Sequence, residues 1–229
     1  MKKIFCTFLM IITSCFLFVA CGGSGGNNGE EIRIKSLQEY KTVIDGYVYA
    51  TVGSELVDLS TLAGIQLDSF NFMFEIEQYE DGEKEMSVSV RVDGDKVLFV
   101  HSYLTGEPLY TAYTYFDGEF EYCKRVLESG ELMHDWKLEE DTHHTAALFI
   151  SAFQSILDPE KYDKTEGDYK HTYTLKEGVV LYGMEEEDIV TITITKDDLV
   201  VEQVGEMYAS IAKITIGGQT VKQPSDFNL

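Results

Sequence analysis

Over residues 36–50, SLQEYKTVIDGYVYA, apolar side chains recur at Leu37, Tyr40, Val43, Ile44, Tyr47 and Val48. Spacings of three and four line one face of a helix. Ser36 followed three residues later by Glu39 is the capping-box pattern for its start, and Gly46 weakens its later turn. The period changes near residue 68. Phe70, Phe72, Phe74 and Ile76 alternate with Asn71, Met73, Glu75 and Glu77, and Met86, Val88, Val90 and Val92 alternate in the same way. Asp81-Gly82 and Asp93-Gly94 supply hairpin turns. The runs KVLFVHSYL, PLYTAYTYF and EFEYCKRVL extend the meander. Residues 97–104 are apolar on both faces, which predicts cover on both sides: a core on one, a cavity or a packed helix on the other.

Thr142 caps a second helical pattern, in which Ala146, Phe149, Ile150, Phe153, Ile156 and Leu157 form one wide apolar stripe that ends at Asp158-Pro159. Alternation then resumes at Tyr169, His171, Tyr173 and Leu175, and again over residues 189–195, 199–204 and 211–216. Nine to ten short strands with one or two helices predict an α+β, mainly-β domain. Its expected form is a curved antiparallel sheet, an incomplete barrel, packed on the helices.

The start of the chain follows different rules. Met1-Lys2-Lys3 precedes an apolar run over residues 4–20, the layout of a secretory signal peptide. The run is shorter than the roughly 20 apolar residues of a membrane span and is interrupted by Thr7, Thr13 and Ser14. Its end, Phe18-Val19-Ala20-Cys21, resembles the lipobox of bacterial lipoprotein precursors, with Phe18 where that family usually has Leu. The resemblance implies removal of residues 1–20 and a diacylglycerol on the Cys21 thiol. Each buried methylene contributes ~0.8 kcal/mol, so two acyl chains anchor stably where one does not. Residues 21–33 then form the lipidated N-terminus and a Gly/Ser/Asn-rich tether, a composition that behaves as flexible coil. The expected location is the extracytoplasmic face of the cell membrane.

Composition narrows the partners. The 40 acidic residues outnumber 18 basic ones, for a formal charge of −22. Nucleic acid demands a basic face and is excluded as a partner. Lying flat on an anionic leaflet is disfavoured for the same reason. Cys6 and Cys15 fall in the leader and Cys21 is the lipidation site, so only Cys123 remains in the mature chain and no intrachain disulfide forms. In EFEYCKRVL, Cys123 reads as a small buried apolar residue.

The order of elements over residues 34–229 resembles the LolA/LolB/LppX-like half-barrel lipoprotein carriers. Two features carry the resemblance: Tyr115-Phe116-Asp117-Gly118-Glu119-Phe120 is similar to a hairpin of that group, and IAKITIGGQTVKQP is similar to its closing strand and glycine turn. The resemblance implies a single half-barrel domain whose concave face encloses an apolar cavity for a lipid or acyl chain. The matching rows are Phe70, Phe72, Phe74 and Ile76, then Leu98 and Val100, then Leu109, Tyr113 and Tyr115, with Phe149, Ile150 and Phe153 from the helix. Taken residue by residue, the same rows also read as ordinary sheet core.

Catalytic signatures are missing from the sequence: no G-x-S-x-G, no H-E-x-x-H, no phosphate loop and no G-x-G-x-x-G. Glu139-Glu140-Asp141 followed by His143-His144 is the densest run of metal-ligand types, and it reads as the acidic start of a helix. Glu185-Glu186-Glu187-Asp188 reads as a solvated turn. The sequence therefore predicts a membrane-anchored, non-enzymatic protein without catalytic residues, metal or cofactor, binding or carrying an apolar ligand. The alternative is a surface interaction protein with a filled core, lacking any cavity above roughly 300 Å³, the lower size of ligand pockets.

Overall fold

The structure, a computed structural model, describes residues 33–52, 69–105, 109–138, 143–181 and 188–222. The leader, Cys21, the tether up to residue 32, the expected cap Thr142 and the acidic runs 139–141 and 185–187 lie outside the described residues. The described residues all belong to one compact unit, Ile32–Leu229.

Helix α1 spans Leu37–Val52. Its predicted capping box is formed in both directions. The Ser36 N–H donates to Glu39 Oε2 at 2.8 Å, and the Glu39 N–H donates to Ser36 Oγ at 3.3 Å. Leu37, Tyr40, Ile44, Tyr47 and Val48 are all buried, so the apolar stripe faces the core, and the helix continues through Gly46.

Six strands follow as an antiparallel meander: β1 Asn71–Glu80, β2 Glu83–Asp93, β3 Lys96–Tyr103, β4 Tyr110–Phe116, β5 Glu121–Leu127 and β6 Leu132–Leu138. Asp81 and Gly82, joining β1 to β2, both have positive φ (48° and 84°), the conformation that a two-residue hairpin turn requires. Helix α2 spans His143–Ser151, shorter than the stripe predicted. Beyond it, Phe153 and Ile156 donate to the carbonyls of Ile150 and Phe153 three residues back, a tightened path ahead of Asp158-Pro159. The stripe is still used: Ala146, Ile150, Phe153, Ile156 and Leu157 are buried and Phe149 is half-buried against them. Five more strands close the fold: β7 Tyr162–Glu166, β8 His171–Leu175, β9 Ile189–Ile194, β10 Leu199–Val204 and β11 Tyr208–Ile216.

All eleven strands form one antiparallel sheet in the order β6-β5-β4-β3-β2-β1-β11-β10-β9-β8-β7. The sheet is unclosed, with β6 and β7 at its two edges, and among the described residues two α-helices accompany it. The mainly-β incomplete barrel with helices is therefore the observed fold. The strand count exceeds the expected nine to ten, and the two strands not anticipated, β6 and β7, are the two edges.

The two meanders meet where β1 pairs with β11, in a register that places Phe72, Phe74 and Ile76 opposite Ile216, Ile214 and Ala212. Continuing across the sheet, Val88, Val90 and Val92 on β2, Val97 and Phe99 on β3, and Leu199, Val201, Ile192 and Ile194 on β10 and β9 share this face. Both helices bury their stripes against it. The opposite face of β3 carries Leu98, which packs with Tyr115, Tyr122, Phe120 and Val221 in a small second cluster. Around Leu98 the cover expected on that side of β3 is not a helix. It is an aromatic pair, with rings 6.1 Å apart, and a residue from the segment after β11.

Candidate functional site

The ten residues predicted to line a cavity do not converge on one. Phe70, Phe72, Phe74, Phe149 and Phe153 lie on the helix side, where they fill space instead of bounding it, and Ile76 shares their row. The Tyr47 ring stands edge-on to Phe70 at 5.6 Å and to Phe72 at 5.0 Å, and Phe74 meets Phe153 at 4.7 Å and Phe149 at 6.1 Å. Leu98, Val100, Tyr113 and Tyr115 belong to the other set of alternating positions, with Leu98 and Tyr115 in the second cluster. The physical reason is the period of two: β3 and β4 are apolar at both odd and even positions, so alternation alone does not say which set faces the helices. The register decides for Val97 and Phe99, which stand opposite Val92 and Val90.

Following that register outward from the core gives a grid on the helix-side face. Phe99, Thr114 and Cys123 stand in one row across β3, β4 and β5; His101, Ala112 and Arg125 form the next; Tyr103 and Tyr110 begin a third. The middle positions are small (Ala112, Thr114, Cys123) and the flanking ones are large. The result is a hollow of about 180 Å³ bordered by Phe99, His101, Tyr103, Tyr110, Ala112, Thr114, Cys123 and Arg125, with Lys124 and, of the predicted set, Tyr113 also at its border. Phe99 joins the hollow to the filled core, its ring 6.0 Å from Phe149 of α2.

The electrostatics of the hollow are local. Ring centroids run from Phe99 to His101 at 6.2 Å, His101 to Tyr103 at 4.1 Å and Tyr103 to Tyr110 at 5.0 Å, and the Arg125 guanidinium carbon stands 5.8 Å from the Tyr110 ring centre. Burial lowers the His101 pKa, so the imidazole is neutral near physiological pH. Its Nε2 is buried without a hydrogen-bond partner. Cys123 donates to Glu121 Oε1 at 3.0 Å and lies 3.3 Å from Thr114 Oγ1, and burial pushes its thiol up to about 12. A thiol held protonated is a poor nucleophile, as its reading as a small apolar residue expects.

A second depression, of about 340 Å³, is bordered by Glu75, Ile76, Glu77, Ser87, Val88, Ser89, Val100, Ile211 and Lys213, so it takes in Ile76 and Val100 of the predicted set. It exceeds the volume set for a filled-core protein, and it combines apolar surface from Ile76, Val88, Val100 and Ile211 with charged and hydroxylic groups. Glu77 there is bonded to Lys84 and to the Tyr79 hydroxyl. Among the described residues no group of three or more His, Cys, Asp or Glu side chains is arranged to hold a metal ion, and no helix is long and apolar enough to cross a membrane.

His101, Tyr103, Tyr110, Ala112 and Arg125 were not singled out by the sequence. The available signal was the alternation Val97-Phe99-His101-Tyr103, which shares one face with Phe74 once β3 is paired through β2. No protein-family model matches the chain, and no curated protein matches it.

Proposed function

We propose that this chain is a lipid-anchored protein of the extracytoplasmic membrane face that holds an apolar group on the helix side of its open sheet and performs no chemistry on it. One observation carries the reading. The helix-side face is apolar across most of eleven strands, the two helices pack against it, and a hollow bordered by aromatic rings lies over β3–β5. Phe99, Tyr103 and Tyr110 border an open hollow, and an apolar group seated there would take part of their aromatic surface out of water. The resemblance to half-barrel carriers points the same way. At about 180 Å³, the hollow admits the end of an acyl chain or a single ring, not a whole lipid.

The filled-core alternative draws on the Tyr47, Phe72, Phe74 and Phe153 packing, which occupies the place where a carrier's cavity would run. The test separates the two. The chain from Gly22 onward is mixed with a membrane lipid extract and examined by native mass spectrometry and by displacement of an environment-sensitive dye. Expected are bound apolar adducts that an Ala112→Phe variant, whose ring fills the hollow, no longer retains. Bare protein mass throughout, with no dye uptake, rules the binding reading out and leaves an interaction module.

A further inference from the structure

The two ends of the sheet differ in what they expose. We infer that the end where β1, β3 and β5 finish and β2, β4, β6, β9 and β11 begin is a docking surface for a partner segment that is both basic and apolar, an amphipathic cationic stretch of another protein. The inference goes beyond the hollow over β3–β5 and does not depend on what that hollow holds.

The apolar part comes first. Among the described residues, the large apolar side chains left exposed include Tyr103 and Leu104 at the end of β3, Leu132 and Met133 at the start of β6, Ile189 at the start of β9 and Met207 in the turn before β11. The antiparallel strand order puts all six at this one end. More than half of Met207 and of Ile189 is exposed. At the opposite end, the large apolar residue exposed among the described residues is Tyr169, between β7 and β8. Exposed apolar residues grouped together and rimmed by polar ones mark interaction surfaces, whereas scattered ones do not. The group is centred on the β1–β2 turn. The Asp81 N–H donates to the Met207 carbonyl at 2.9 Å, and the Leu104 N–H donates to the Glu85 carbonyl at 2.8 Å. Met207 and Leu104 therefore flank this turn, with β11 and β3 three strand spacings apart, about 14–15 Å. About three turns of helix, or four to five residues of extended chain, match that span.

Charge says what kind of segment fits. Glu80, Asp81, Glu83 and Glu85 stand between Met207 and Leu104. Glu206 adjoins Met207, and Glu131 adjoins Leu132. Lys84 is the basic residue in the β1–β2 turn, and Glu77 already holds it. The hydrogen bond between Glu80 and Glu85 raises the Glu85 carboxyl above its ordinary range, a sign of crowded like charges that a cation relieves. The turns at the opposite end are acidic too, but their carboxylates serve the chain itself. Asp93 accepts from Asn71 and the Val221 N–H, Asp117 from the Glu119 and Phe120 N–H groups, and Asp198 from Thr195 and Lys213. A second copy of this chain, or an anionic leaflet, brings more negative charge to the β1–β2 turn and is repelled. A purely apolar partner desolvates the carboxylates and gives them nothing in return. A segment with Lys or Arg set among apolar residues meets both demands.

The test uses the full-length protein in phosphatidylcholine nanodiscs and three photo-reactive peptides of equal length, with attachment sites read by mass spectrometry. One peptide is an amphipathic helix of Lys and Leu, one has Ser in place of each Leu, and one has Glu in place of each Lys. The Lys/Leu peptide is expected to attach at residues 80–85, 104 and 206–207, about tenfold or more above either control, the scale of burying one large apolar side chain or making a charge-assisted hydrogen bond. Met207→Ser combined with Leu104→Ser, both at exposed positions, is expected to lower that attachment about tenfold. Tyr169→Ser, at the other end, is expected to leave it unchanged. Equal attachment of the Lys/Ser peptide means that charge alone acts, and equal attachment of the Glu/Leu peptide means that apolar surface alone acts; either overturns the inference. Attachment spread over both ends of the sheet, or none at all, overturns it as well. So does labelling of Met207 and Leu104 by a photo-reactive lipid in the same nanodiscs, which would show that the bilayer covers this end. The wild-type comparison needs no variant to fold.

Discussion

At the scale of single residues, what the sequence reveals depends on how far away the partner is. Ser36 and Glu39 are three positions apart, so their reciprocal bonds, at 2.8 and 3.3 Å, follow from local spacing alone. Glu202 is the contrary case. In LVVEQV it reads as an ordinary polar position, but the register sets it between Ile211 on β11 and Thr191 on β9, where it is half-buried. Burial raises its carboxyl pKa, and the charge of Lys170 offsets part of that. A carboxyl whose folded pKa lies above its unfolded value favours the folded state fully below the unfolded value, about 4.3, and loses that contribution as pH rises through the folded value. Glu202→Gln is therefore expected to stabilise the protein near pH 7 by up to about 1 kcal/mol and to leave it unchanged near pH 4. Urea midpoints at the two pH values measure this. An equal change at both would mean that the effect is not electrostatic.

At the scale of elements, the interior strands were legible in the sequence and the edges were not. β7, YDKTE, buries only Tyr162 and exposes the four residues after it, so it carries no alternation to read. β6, LMHDWKL, exposes Leu132 and Met133. Edge strands pair on one side only and are kept polar or irregular against unwanted association, which removes the pattern that marks a strand. The candidate site was hidden for a related reason: in β3 and β4 both faces are apolar, and only pairing through β2 to β1 shows that Phe99 and His101, not Leu98 and Val100, share the face of Phe74. That pairing depends on the junction where the chain's two meanders meet. Asn71 Nδ2 donates to Asp93 Oδ1 and to the Gln219 carbonyl, both at 2.9 Å, and its Oδ1 accepts from the Gln219 N–H at 2.8 Å. Each such bond contributes about 0.5–1.5 kcal/mol net, so Asn71→Ala is expected to cost about 2–3 kcal/mol. Gln219→Ala, which keeps the backbone groups that Asn71 uses, should cost well under half of that. Denaturant unfolding of both variants makes the comparison, and similar losses would show that the Asn71 side chain is not what ties β1 to the end of the chain.

At the scale of the whole molecule, the acidic charge and the proposed anchor answer the same physical need. On a chain with 40 acidic residues against 18 basic ones, the excess negative charge is repelled by an anionic leaflet, so electrostatics cannot hold the protein there. Two acyl chains on Cys21 would hold it through burial of methylenes, a term indifferent to salt. The Gly- and Ser-rich stretch that follows would let the unit stand away from the charge that repels it. The two contributions make opposite demands on a wash experiment. An electrostatic attachment weakens as added salt screens charges over about a Debye length, whereas an acyl anchor on a repelled protein holds as well or better. The wild-type protein is expected to incorporate labelled palmitate and to stay with membranes in high salt, leaving them only with detergent. Cys21→Ser should abolish the label while leaving the helix-and-sheet unit folded, because that unit begins beyond it at Ile32. Release of the wild type by salt, or palmitate retained in Cys21→Ser, would show that the thiol is not the attachment point and that the acidic surface meets a partner other than the bilayer.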